Sequence, residues 1–238
     1  VTASHDLVYV VNAASSNIAG FRSDDGTLSA IAGSTRTFTG AGAAQIQFSP
    51  SGDVLVVTEK STSSLDVFVV GKDGVAGAAT RYGSSGTTPF GFGFGHRGDL
   101  VVSEAAGAVP LSAASSYELS KDGALTAISR SVPTTQAAAC WVAVTKDGRY
   151  AFTANAGGDS ISTFSIGEDG SLTLVFAQAA HSAAAHTTDL ALTENSRYLY
   201  ANDGGTHMIS AFRVGADGSL ARLPGIAIPP GASGLAAR

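Results

Sequence analysis

Short apolar stretches alternating with polar residues run the length of the chain, and helix-period patterns of useful length are absent. Leu7–Val11, Val54–Thr58, Leu100–Ser103, Tyr150–Ala154 and Leu199–Ala201 read as strands bounded by glycine, asparagine and aspartate. Asp-Gly pairs punctuate the pattern: Asp25-Gly26, Asp73-Gly74, Asp122-Gly123, Asp169-Gly170 and Asp217-Gly218, spaced 48, 49, 47 and 48 residues apart. Each has strand-like sequence on both sides. Asp-Gly supplies the positive φ of a tight hairpin, so each pair is predicted to join two antiparallel strands.

A second turn recurs at the same period: Pro50-Ser51-Gly52-Asp53, His96-Arg97-Gly98-Asp99, Lys146-Asp147-Gly148-Arg149 and Glu194-Asn195-Ser196-Arg197. A strand follows each of these turns. A short strand of small residues precedes it, such as Gln45–Phe48 or Ala143–Thr145. Each repeat therefore holds four strands, A to D, with A innermost, because small residues suit strands that crowd around a central channel. Phe90-Gly91-Phe92-Gly93-Phe94-Gly95 is the extreme case. Four antiparallel strands per repeat predict an all-β, five-bladed β-propeller in a single domain. The repeats run approximately over 1–40 with 231–237, 41–84, 85–133, 134–181 and 182–230.

The two ends complement each other in this reading. The chain opens at a B strand (Leu7 to Val11) and continues through C (Ile18 to Phe21) and D (Leu28 to Ala32) without an A strand. Gly231–Ala237 resembles the start of an A segment and has no B after it. The C-terminal segment is thus expected to join the N-terminal blade and remove two exposed sheet edges.

Composition narrows the function classes. The chain has 238 residues, 44% hydrophobic and 14% charged, with 29 glycines, which suits many short strands and tight turns. Net charge is −5 and no basic run exists, so neither nucleic acid nor an anionic membrane surface is an expected partner. No apolar stretch is long enough to span a membrane as a helix. The chain begins at Val1, as a mature or trimmed form would, and a soluble monomer, cytoplasmic or exported, is expected. The lone Cys140 lies in an apolar run and is expected to be a buried structural thiol.

Chemistry is expected where loops enter strand A and leave strand B, at the channel mouth. The repeat places one polar residue at the end of each B strand: Asn12, Glu59, Glu104, Asn155 and Asn202. The asparagines suit backbone caps of the next turn. Glutamate reaches too far for that cap, so Glu59 and Glu104 are the candidate catalytic pair, as acid and base or as a cation site. Their structural alternative is a salt bridge, with Lys60 or Arg97 near in sequence. Gln45 and Asp189 stand at the start of A strands, and with Asn12, Asn155 and Asn202 are candidate substrate-binding residues. His181 and His186 beside Asp189 form a weak metal pattern; solvated loop histidines are the default. No cofactor is expected, apart from an optional divalent cation at the mouth. The match of Gly93–Gly98 to GxGxxG leads into a strand, not a helix, so it is no dinucleotide motif.

Phe48-Ser49-Pro50-Ser51-Gly52-Asp53, Val144-Thr145-Lys146-Asp147-Gly148-Arg149-Tyr150 and Phe212–Leu220 resemble the lactonase family of β-propellers, across essentially the whole chain. That family includes propeller-type 6-phosphogluconolactonases and carboxymuconate-lactonizing enzymes, and its members typically have seven blades. The resemblance implies hydrolysis or formation of a lactone of a small sugar acid or carboxylate. Glu59 or Glu104 would then be the general base, with Gln45, Asn155 and Asn202 orienting substrate. The family's Gly-Pro-Arg-His leading into strand A is replaced here by Gly42-Ala43-Ala44-Gln45 and Thr88-Pro89-Phe90-Gly91. The competing readings are a non-catalytic binding or scaffold propeller, and a shortened or engineered version of a seven-bladed protein.

Overall fold

A computed structural model describes residues 1–95, 98–109 and 111–237. Among the described residues all regular elements are β-strands, arranged as five sheets in chain order. The first contains β1 (Thr2–Ser4), β2 (Leu7–Asn12), β3 (Asn17–Asp24) and β4 (Thr27–Ala30), with β5 (Arg36–Thr37) also paired to β3. The second contains β6 (Ala43–Phe48), β7 (Val54–Glu59), β8 (Ser64–Val69) and β9 (Thr80–Gly83). The third contains β10 (Pro89–Phe94), β11 (Leu100–Glu104), β12 (Ala113–Leu119) and β13 (Leu125–Pro133). The fourth contains β14 (Ala139–Val144), β15 (Tyr150–Asn155), β16 (Ser160–Ile166) and β17 (Leu172–His181). The fifth contains β18 (Thr187–Leu192), β19 (Tyr198–Asp203), β20 (Met208–Val214) and β21 (Leu220–Ala227).

These strands form two compact units. One is Val1–Phe90 with Leu119–Thr126; the other is Gly91–Glu118 with Ala127–Arg238. In the first, Tyr9, Ile18, Phe48, Leu55, Val57 and Phe68 make one core cluster. In the second, Phe152, Ile161, Leu190, Leu199 and Phe212 make another, with Trp141 packed against it. Strands β7 and β11 are buried along their whole length, which is why they read as apolar runs.

The Asp-Gly turns form as expected, with a refinement. Only the first has both residues at positive φ, Asp25 at 44° and Gly26 at 80°. In the other four only glycine does, and the aspartate acts as a cap instead. Asp169 Oδ1 accepts the Ser171 N–H at 3.0 Å, and Asp217 Oδ1 the Ser219 N–H at 3.0 Å. Tyrosines tie successive repeats to these turns. The Tyr9 hydroxyl donates to Gly74 O at 2.8 Å and accepts from Ala76 N at 2.9 Å. Tyr150 donates to Ala216 O at 3.1 Å in the same way.

The C-terminal strand expected to complete the first sheet does not form. Thr2–Ser4, read as no strand, takes that place and pairs with β2 from Thr2↔Tyr9 to Ser4↔Leu7. Residues 231–237 lie outside every ladder. Two prolines precede them, and Gly231 and Gly234 have φ of 77° and 83°, which breaks an extended run. The segment lies instead against the fifth sheet, where Ala232 O accepts from Asn202 Nδ2 at 3.1 Å. Phe90 O and Cys140 O, each second in an A strand, accept the same kind of bond from Thr58 and Ser103, residues at the matching place in their B strands. Ala232 thus stands toward the fifth sheet as the start of an A strand stands toward the sheet before it.

Candidate functional site

The polar positions ending the B strands belong mainly to the sheet interiors. Each pairs with the first residue of strand C: Asn12↔Asn17, Glu59↔Ser64, Glu104↔Ala113, Asn155↔Ser160 and Asp203↔Met208. The fifth member is therefore Asp203; Asn202, expected in this ring, lies one residue out of register with it. A positive-φ residue four positions on marks the same alignment: Ser16, Ser63, Asp159 and His207. Because side chains alternate across a strand, a one-residue slip changes the face.

These side chains turn onto strand C. Ser115 Oγ donates to Glu104 Oε1, Asn155 Nδ2 donates to Ser162 Oγ at 2.8 Å, and Ser210 Oγ donates to Asp203 Oδ2. In each case the serine lies two residues into strand C. Asp203 also accepts from Thr187 Oγ1 at 2.7 Å. Asn12 alone is exposed and donates to Asn17 Oδ1 at 2.8 Å.

The second sheet departs from this plan. Its serine position is Asp66, so two carboxylates share the strand interior, and Arg81 of β9 lies between them. Arg81 Nη2 donates to Glu59 Oε2 at 2.7 Å and to Asp66 Oδ2 at 3.0 Å, and Arg81 Nε to Asp66 Oδ1 at 3.0 Å. Thr62 adds a hydroxyl bond to Glu59 Oε2 at 2.7 Å. Glu59 is 0% exposed and its Oε1 has no hydrogen-bond partner. Burial, aided by Asp66, pushes the Glu59 carboxyl above its ordinary range despite Thr62 and Arg81. Gly40 packs against this carboxylate so closely that an added Cβ would lie 1.2 Å from Glu59 Oε2. The salt-bridge alternative thus holds for Glu59, with Arg81 as its partner. Lys60 instead lies over the Phe90 ring at 5.0 Å, and Arg97 lies outside the described residues. Glu104, 1% exposed, is closed in as well.

The first strands of the later sheets are more open. Gln45 is half-buried on β6 and donates to Gln47 Oε1 at 3.1 Å. Gly91, in the Phe-Gly repeat, is where the Cα of Trp141 and the carbonyl of Cys140 approach: an added Cβ would meet them at 2.7 and 2.6 Å. Cys140 is half-buried, not enclosed as expected. Asp189, third in β18, is half-buried and accepts N–H bonds from Leu190, at 2.8 Å, and from Leu235. Desolvation outweighs both bonds and pushes its carboxyl up to about 6. A carboxylate poised there, and reachable by solvent, suits a general base near neutral pH. Asn202 lies opposite Asp189 in the ladder and keeps a buried, unpartnered Oδ1; Asn155 keeps another.

The histidines do not gather around Asp189. His181 is exposed on β17, and the His186 ring meets Ala156 O at 3.1 Å, while Asp159 holds its backbone N–H at 2.8 Å. Among the described residues no three histidine, cysteine, aspartate or glutamate side chains are grouped for a metal. The residues missed from sequence are Arg81 and Asp66. A lone aspartate in the apolar strand Ser64–Val69 was the available signal that a buried cation faces it.

The family model of the lactonases, seven-bladed β-propellers, matches residues 1–108 and 104–234. No curated protein matches the chain by sequence. Among solved structures, a proposed 6-phosphogluconolactonase from Bacteroides uniformis aligns with a TM-score of 0.79 at 19% identity, covering 94% of this chain and 69% of that one. A Lactobacillus plantarum protein aligns with a TM-score of 0.78 at 18% identity, over 95% and 70%. The periplasmic gluconolactonase of Pseudomonas aeruginosa aligns with a TM-score of 0.73 at 16% identity, over 96% and 69%. At these identities the structural likeness speaks for the fold.

Proposed function

The chain belongs to the lactonase family of β-propellers, and from that premise we propose that it hydrolyses the lactone ring of a small sugar acid or related carboxylate at its inner strands. The same reading takes the five sheets as five successive blades with their first strands innermost. The observation that carries it is Asp189, a half-buried inner-strand carboxylate pushed up to about 6 by desolvation. Asp189 takes a proton from water as the water oxygen bonds to the lactone carbonyl carbon. When the ring C–O bond breaks, the same proton goes to the departing alkoxide, which regenerates the carboxylate. Water and this carboxylate suffice, so the reaction is written without a cofactor. Glu59 and Glu104, closed inside their sheets, hold strands B, C and D together and do not serve as the base. An uncharged or singly charged lactone fits this site better than a phosphosugar, because a carboxylate repels a dianion.

The test is hydrolysis of glucono-δ-lactone and of 6-phosphogluconolactone, followed by pH-stat across pH 5 to 8. Wild type is expected to gain activity as pH rises through about 6. Asp189→Asn is expected to lower kcat by roughly 100-fold or more and to remove that limb. Unchanged kcat and pH profile in Asp189→Asn would refute the assignment of the base. Turnover of neither lactone by the wild type would favour the binding-scaffold reading.

A further inference from the structure

The residue immediately before strand B changes sign along the chain. It is Asp6, Asp53 and Asp99 in the first three repeats and Arg149 and Arg197 in the last two. The two arginines line one cleft of about 680 Å³, together with Lys146, Tyr150, Asn195 and Ala216. This cleft lies at the start of β15 and β19, so it sits at the opposite end of those strands from Asn155 and Asp203.

Its charges are only partly used. Arg149 Nη2 donates to Ala216 O at 3.2 Å and to the Tyr150 hydroxyl at 3.4 Å, its guanidinium lies over the Tyr150 ring at 5.3 Å, and its other N–H groups stay available. The Arg197 guanidinium has no hydrogen-bond or ion-pair partner among the described residues; its backbone N–H donates to Asn195 Oδ1 at 3.0 Å. Asp147, the acidic residue lining the cleft, is engaged by Thr145 Oγ1 at 2.6 Å and by the Arg149 N–H at 3.1 Å. Lys146 meets Glu194 at 3.8 Å, but both are largely in water, where such a pair contributes little. The lining therefore stays net cationic in a chain whose overall charge is −5.

We propose that this cleft binds a small organic oxyanion, its carboxylate or phosphoryl group held between Arg149 and Arg197 with Lys146 alongside. Guanidinium groups match the geometry of such oxyanions and bind them through paired N–H bonds. A volume of about 680 Å³ is that of a metabolite site, and the Tyr150 ring offers an apolar wall to the rest of the ligand. The cleft shares no residue with the lactone site, so the two readings stand or fall separately.

The test is isothermal titration calorimetry of the full chain at low ionic strength, with inorganic phosphate and citrate as probes. Saturable one-site binding of at least one probe is expected, weakened about tenfold or more in Arg197→Gln and in Arg149→Gln. Arg197→Gln removes no bond within the protein, so its melting temperature should match wild type, separating lost binding from lost fold. Arg36→Gln, which removes an equal charge elsewhere, should bind as wild type does. The proposal is overturned if wild type gives no saturable heat, if Arg197→Gln binds within twofold of wild type, or if Arg36→Gln weakens binding equally.

Discussion

Replacing Arg81 by glutamine should destabilise the protein more than removing any other single arginine. The change leaves Glu59 and Asp66, 0% and 1% exposed, facing each other without a cation. Removing one partner from a buried ion pair costs about 3–5 kcal/mol. Arg81 keeps a third of its side chain in water, so the lower end applies, about 3 kcal/mol. For a chain of this size that corresponds to a fall of about 6–12 °C in melting temperature, read by far-UV circular dichroism. The pH dependence is specific to the mechanism. Burial raises the folded-state pKa of Glu59 above its unfolded value, so its contribution is present at low pH and lost as pH rises through the folded pKa. Loss of Arg81 raises that pKa further. The deficit should therefore be small near pH 4 and widen toward neutrality. The fourth sheet indicates a rescue: Glu59→Asn and Asp66→Ser copy Asn155 and Ser162, and in the Arg81→Gln background should restore at least half of the loss. A melting temperature within about 2 °C of wild type, or a deficit independent of pH, would refute this account of the triad.

Four further outcomes follow from individual contacts. Tyr9→Phe removes a donor from Gly74 O and an acceptor from Ala76 N in a fully buried site, and should cost about 2 kcal/mol in urea unfolding. Gly40→Ala places a methyl group on the Glu59 carboxylate, and should give insoluble protein or a loss of about 3 kcal/mol or more. Gly91→Ala presses on the backbone of Cys140 and Trp141, which cannot yield as a side-chain tip can, and should shift Trp141 fluorescence together with stability. Asp189 has a folded pKa raised to about 6 from 3.8, so wild type should lose stability as pH rises from about 4 through 6; in Asp189→Asn that slope in melting temperature should flatten.

The sheets were legible in the sequence because their causes are local. A glycine at an Asp-Gly turn sets its own positive φ and a period-two stretch sets its own faces, so among the described residues 19 of the 21 strands follow the repeat, give or take their ends; β1, read as no strand, and β5, a second partner of β3, do not. Causes that act across the fold leave no such local signature. Asp203 and Asn202 are adjacent polar residues at the end of one strand, and the pairing of Asp203 with Met208, the first residue of strand C, decides which of them matches Glu59 and Asn155. Glu59 reads as a symmetry break in both sequence and structure. Whether it faces a channel or an arginine depends on β9, which reaches it from 22 residues away.

The sequence by itself determined an all-β chain of repeated four-stranded sheets, its hairpins, its buried B strands and its lack of a helical or dinucleotide motif. Tertiary structure alone decided that Thr2–Ser4 and not Gly231–Ala237 pairs with β2, because two prolines and two left-handed glycines outweigh a likeness of composition. It alone decided that Glu59 and Glu104 are enclosed while Asp189 stays reachable at a raised pKa. Desolvation is a property of everything packed around a carboxylate, and no pattern along the chain encodes it.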